Sequence, residues 1–144
     1  MRIVIDTNVV ASAIFFGGRP RDLLELLLRH DVDAYISKEI LDEYQATMTY
    51  LQEKYPAKKV NVPLTQIAAA CRMIEPKTAV KVCRDPADDM FIACAVDSRS
   101  VYIVSGDKDL LEVRQYQDVQ IVTVADFFEN RWKNDGHSSS AQEM

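Results

Sequence analysis

Arg2-Ile3-Val4-Ile5-Asp6-Thr7-Asn8 is the stretch that decides the fold. Three consecutive branched aliphatics with no polar alternation describe a strand buried on both faces, the pattern of a parallel sheet covered by helices. The acid that closes the run marks where the strand gives way to a polar turn. An apolar helix follows from Asn8 to Phe16, and Gly17-Gly18-Arg19-Pro20 breaks it. A second helix, Arg21 to His30, repeats Leu23, Leu24, Leu27 and Leu28 at helical spacing.

Outward from this start, further strands are predicted at Ala34 to Ser37, Ala79 to Cys83, Val101 to Ser105 and Val119 to Val124. Between them the periodicity predicts a helix capped by Ser37 and running to about Lys54, then helices at Leu64 to Ile74, Asp88 to Asp97 and Lys108 to Val113. A loop fills Pro56 to Pro63, and Ala125 to Trp132 closes the order as a short helix. Five short strands alternating with helices predict an α/β fold, a three-layer α/β/α sandwich around a five-stranded, mainly parallel twisted sheet of the Rossmann-like kind. There is no internal repeat, and residues 1–132 form one domain. From Lys133 the chain turns small and polar, which predicts a disordered tail over 133–144.

Composition narrows the class. The chain has 144 residues, 17 Lys and Arg against 22 Asp and Glu, four Gly and five Pro, which excludes collagen-like and low-complexity chains. No apolar run reaches the roughly 18 to 20 residues of a membrane span, and the acid at position 6 comes too early for a secretory leader, so a soluble, cytoplasmic protein is expected. Cys71, Cys83 and Cys94 are odd in number, lack any CxxC spacing and sit in or beside apolar runs, as buried reduced thiols do. The net charge of −5 argues against a broad basic coat for nucleic acid. It does not exclude nucleic acid as a substrate, because a site that holds metal ions concentrates acids locally.

In open parallel sheets ligands bind beyond the carboxyl ends of the strands. Reading those positions gives Asp6 after the first strand, Asp85, Asp88 and Asp89 after the third, and Asp107 and Asp109 after the fourth, with Glu39 and Glu43 on one helical face after the second. Taken singly, Asp88, Asp89 and Asp107 read as helix-start or turn acids and Glu43 as a solvated face. Asp6 resists that account, since an unpaired carboxylate in a central strand costs several kcal/mol. Carboxylates about 4 Å apart repel by about 4 kcal/mol at an effective dielectric of 20, so converging acids persist only when protonated or bridged by cations. Hard oxygen donors suit Mg²⁺ or Mn²⁺, and the natural chemistry is phosphodiester hydrolysis. There is no glycine-rich phosphate loop, and His30 and His137 sit where histidine catalysis is not expected.

Four blocks, Ile3-Val4-Ile5-Asp6-Thr7-Asn8, Ser37-Lys38-Glu39-Ile40-Leu41-Asp42-Glu43, Asp85-Pro86-Ala87-Asp88-Asp89-Met90-Phe91 and Ile103-Val104-Ser105-Gly106-Asp107-Lys108-Asp109, resemble in order the acidic blocks of PIN domains, especially the toxin components of prokaryotic type II toxin–antitoxin systems. The resemblance implies a Mg²⁺- or Mn²⁺-dependent endoribonuclease that is dimeric and held inactive by an antitoxin. By position it makes Asp6, Glu43, Asp88 and Asp107 the metal-binding acids. Asn8 would orient Asp6, Ser105 would hydrogen-bond within the cluster where the family often has Thr, and Asp109 would be an outer acid. Asp88 is preferred over the adjacent Asp89; Asp85 reads as a helix cap and Glu39 as a first-turn acid. The alternative is a catalytically silent PIN-fold binding or dimerisation module. A haloacid-dehalogenase-like phosphatase would need an Asp where Asn8 stands, and a receiver domain lacks its further acid and Lys. Arg19, Arg21, Lys38, Arg84 and Lys108 flank the site as candidates to guide RNA phosphates, and the Leu23 to Leu28 stripe or Phe15 and Phe16 are candidate dimer seams beside their reading as core.

Overall fold

In the computed structural model, which describes residues 1–60 and 62–132, the opening run forms β1 (Arg2–Ile5). Ile3, Val4 and Ile5 are 0%, 0% and 3% exposed. Adjacent strand residues point to opposite faces, so this burial means that helices cover both sides of the sheet. Helix α1 (Thr7–Phe15) starts one residue after β1, and Gly17 and Gly18, at φ of +80° and +69°, turn the chain at once into α2 (Gly18–Leu28). Pro20 falls in the first turn of α2, where a missing N–H costs nothing. Leu23, Leu24 and Leu27 are fully buried, so the leucine stripe is core rather than a dimer seam.

β2 (Asp33–Ile36) lies parallel to β1, and Ser37 caps α3 (Lys38–Lys54) by accepting the Ile40 N–H at 3.3 Å. Helix α4 (Leu64–Ala70) is shorter than the predicted helix, because its last residues leave it to form β3 (Arg72–Met73), parallel to β2. The predicted strand at 79–83 is therefore not a strand. The sheet position beyond β2 is taken by β3, and the 77–83 backbone is tied instead to carboxylates of α5 (Asp89–Ser98): Asp97 accepts the Lys77 and Thr78 N–H groups, and Asp89 accepts those of Val82 and Cys83 at 3.1 and 2.8 Å.

β4 (Tyr102–Val104) returns to the other side of β1, followed by α6 (Lys108–Val113), a two-residue β5 (Gln115–Tyr116) and β6 (Val119–Val122). The sheet order is β3-β2-β1-β4-β6-β5, all parallel except β5 against β6. The predicted five strands thus become six, with β5 added as a short antiparallel edge. The described residues end in α7 (Val124–Asp126) and a π-helical segment, Phe127–Trp132, whose Phe127 ring is fully buried against Tyr102 and Trp132. The predicted tail, 133–144, lies outside the described residues.

Candidate active site

The order of strands fixes where the site must be. β1 is central: its connection leads to β2 on one side, while β4 arrives on the other, so the sheet reverses direction of winding at the β1/β4 pair. Ile5 pairs with Val104, which sets the next two residues, Asp6 and Ser105, side by side at the carboxyl edge. The Ser105 hydroxyl donates to Asp6 Oδ2 at 2.7 Å and accepts the Asp107 N–H at 2.9 Å. Asp6 Oδ1 accepts the Thr7 N–H at 2.7 Å. Both oxygens of Asp6 are thereby fixed, although the residue is only 4% exposed. Burial pushes its carboxyl up to about 6, against the two hydrogen bonds, and the charges of Asp107 and Glu43 add to the rise.

Glu43 reaches this edge from the second turn of α3. Its carboxylate accepts a very short hydrogen bond from the Thr7 hydroxyl. Beside it the buried Tyr44 hydroxyl donates to the Ile5 carbonyl at 2.5 Å, which fixes α3 against the end of β1. Burial holds that hydroxyl well above its ordinary pKa, so it stays a donor.

The third block arrives through a 3-10 turn, Pro86–Asp88, capped by Asp85, which accepts the Ala87 N–H at 3.0 Å. The adjacent acids then part. Asp89 turns away to hold the Val82 and Cys83 backbone, and those donors keep its carboxyl below the usual range. Asp88 sits at the N-cap of α5 without using its side chain to cap it. It faces Asp107 and Asp109, and one carboxylate oxygen from each of the three lies within 4.8 Å of the others. Burial, a hydrogen bond shared with Asp107, and the charges of Asp107, Asp6 and Asp85 push Asp88 up to about 7. Asp107 also caps α6, accepting the Leu110 N–H at 3.1 Å.

Six carboxylates from four separated segments are thus assigned distinct places. Asp88, Asp107 and Asp109 form a close trio; Asp6 and Glu43 stand beside it, linked through Thr7, and joined to Asp107 through Ser105; Asp89 stands apart. Helices α1, α5 and α6 all begin here, and their N-terminal dipoles offset part of the negative charge. Like charges so close are relieved by protons or by a divalent cation, and an all-oxygen donor set of this kind fits Mg²⁺ or Mn²⁺. Arg84 lies 3.9 Å from Asp109 and 3.3 Å from Glu112, so it neutralises acids at the rim. Arg19 and Lys38 likewise pair with Glu129 and Asp42.

Three details escape a reading of the sequence. Asn8 is exposed and makes no hydrogen bond to Asp6 among the described residues; the groups that orient Asp6 are the Thr7 N–H and Ser105. The Thr7 hydroxyl, which holds Glu43, is a polar residue between two others with no separate signal, and Tyr44 reads as part of an apolar stripe. Asn8 instead lines a cleft of about 360 Å³ with Val9, Ser12, Ser105 and Val124, opening beside the acids.

Comparison with known proteins bears on the family of the chain. A family profile described as the PIN domain matches residues 2–109. An uncharacterized protein of Methanocaldococcus jannaschii is 34% identical over 121 residues, covering 79% of this chain and 76% of that protein.

Proposed function

This chain belongs to the PIN domain family, and on that premise we propose that it is a Mg²⁺- or Mn²⁺-dependent endoribonuclease whose metal ligands are Asp6, Glu43, Asp88 and Asp107. Family membership brings a nuclease-type fold with an acidic cluster; the substrate, the metal and the residue roles are the further step. The observation that supports it most is the convergence of those four carboxylates at the one edge where strand order reverses, two of them held at carboxyl pKa values of about 6 and 7. Such perturbation marks a site with work to do.

A bound divalent ion would neutralise the phosphate oxygens and acidify a water. The chain's own part is positioning. Ser105 and the Thr7 N–H hold Asp6 in one rotamer, Thr7 holds Glu43, and Asp107 is fixed by its cap to α6. Asp88, free of any capping bond, is the acid able to exchange its proton for a cation near neutral pH. Asp109 is the outer member, tethered to Arg84.

The biological assignment that follows from the toxin resemblance is the toxin of a type II toxin–antitoxin pair, cytoplasmic, homodimeric, and bound by a cognate antitoxin, with residues 1–132 as the nuclease domain. No described helix is long and apolar enough to cross a membrane. The decisive experiment is cleavage of unstructured RNA, tRNA and rRNA by the purified protein, with EDTA and with Mg²⁺ or Mn²⁺ restored. Cleavage that EDTA abolishes and either cation restores is expected. Absence of metal-dependent cleavage on all three would overturn the enzyme and favour the silent binding module.

A further inference from the structure

The surface away from the acids carries a second chemistry. Phe16 and Tyr50 are each 59% exposed and Tyr55 is 39% exposed. They are not scattered: the Phe16 and Tyr55 rings meet edge to face at 6.0 Å. Lys58 Nζ lies 5.0 Å from the Phe16 ring centroid, and Lys54 Nζ lies 5.5 Å from Tyr55 and 5.8 Å from Tyr50. Among the described residues neither lysine forms an ion pair. Residues 50–60 hold three lysines against one acid, Glu53, in a chain of net charge −5.

The same two helices, α1 and α3, carry both this patch and the acids. Glu43, Tyr50 and Lys54 stand at i, i+7 and i+11 of α3, hence on one face, with Tyr50 about 10 Å and Lys54 about 16 Å along the axis from Glu43. Helix α1 runs between the same two places, with Thr7 at its start beside the acids and Phe16 just past its end. The two helices pack on each other, so the acids and the aromatic patch lie at opposite ends of the α1/α3 pair.

We propose that Phe16, Tyr50 and Tyr55, with Lys54 and Lys58, form a stacking platform for the bases and phosphates of single-stranded RNA a few nucleotides from the scissile bond. The inference rests on RNA being the substrate. Exposed rings give every base a π-face, and unpaired lysines beside them give the backbone its counter-charge, which is the combination that sequence-tolerant single-strand binding uses. A base-paired helix would keep its bases from the rings, so the platform selects unpaired RNA.

The test is affinity for a labelled short oligouridylate in EDTA, by fluorescence anisotropy across a salt series, on the full chain. Phe16→Ala combined with Tyr50→Ala should bind at least tenfold more weakly with an unchanged melting temperature. Lys54→Gln combined with Lys58→Gln should flatten the slope of log affinity against log salt by about 1.4, at about 0.7 for each of the two phosphates that the lysines neutralise. Affinity within twofold of the parent and an unchanged slope in both variants would overturn the platform. So would sedimentation showing that the ring variant breaks a dimer while RNA affinity stays the same, which assigns the patch to a second copy of the chain. A parent that cleaves RNA with Mg²⁺ but shows no patch-dependent affinity overturns the platform alone. Patch-dependent affinity without any cleavage overturns the nuclease alone.

Discussion

Replacing Asp6 by Asn should stabilise the metal-free protein at neutral and alkaline pH, and the size of the effect follows from the site. The Asp6 carboxyl titrates at about 6 in the fold against 3.8 in the open chain. A raised acid pKa means that the folded state binds the proton more tightly. Its stability is therefore fully present below 3.8 and is lost as pH rises through about 6. A shift of that size at about 1.4 kcal/mol per unit makes ionised Asp6 cost about 3 kcal/mol at about pH 8. Asn carries no charge, and its amide fits the local bonds: the oxygen takes the Thr7 N–H, and the nitrogen faces Ser105, whose hydroxyl can accept it alongside the Asp107 N–H. Charge-assisted bonds are lost at a cost of about 1 kcal/mol, leaving a gain of about 2 kcal/mol. For a domain of this size that raises Tm by about 6 °C. Thermal unfolding in EDTA should show that gain at about pH 8 and almost none at about pH 4.5, where Asp6 is protonated in the parent. Added Mn²⁺ should raise the Tm of the parent and not of the variant. A variant less stable than the parent by the same amount at both pH values would refute the claim that burial of an ionised Asp6 strains the apo fold.

The neighbouring acids should separate cleanly: Asp88→Asn lowers both Mn²⁺ affinity, read by calorimetry, and RNA cleavage by at least tenfold, whereas Asp89→Asn leaves Mn²⁺ affinity alone and costs about 1 kcal/mol of stability through the Val82 and Cys83 bonds. Thr7→Val removes the hydroxyl that holds Glu43 and should reduce cleavage about tenfold with little change in KM, a loss that Thr7→Ser restores. Burial pushes the Cys71, Cys83 and Cys94 thiols up to about 12, so a thiol-reactive disulfide reagent at about pH 8 should titrate them slowly in the native protein and all at once after denaturation.

The parts of this fold that can be read from sequence are those whose cause is local. Ile3-Val4-Ile5 is buried on both faces because nothing in it is polar, Ser37 caps because its hydroxyl stands three residues before Ile40, and Asp6 follows the central strand directly. The 79–83 run misleads because its β-branched residues satisfy a strand's pattern, while the N–H groups of Val82 and Cys83 are taken by Asp89 on a helix still to come, and those of Lys77 and Thr78 just before the run by Asp97. β3 is hidden for the converse reason: two exposed residues, Arg72 and Met73, belong to the sheet solely through pairing with Tyr35 and Ile36. The acids themselves are legible as strand-end residues, and the Ser105 hydroxyl through the family resemblance; the Thr7 hydroxyl that aims Glu43 is not, since a Thr at a turn reads as a turn residue until its partner is known. Phe16 and Tyr50 look like core by composition, and only the fold shows them turned outward with lysines over their faces.

The register between β1 and β4 also sets a timetable. Asp6 is synthesised well before its partners: the hydroxyl that holds its outer oxygen lies 99 positions later and the Asp107 backbone that steadies that hydroxyl later still. β1 has an open edge until residues 102–104 exist to fill it, so no nascent chain shorter than that carries an assembled cluster. A polypeptide abandoned before Ser105 and Asp107 are made therefore carries scattered carboxylates and no assembled cluster.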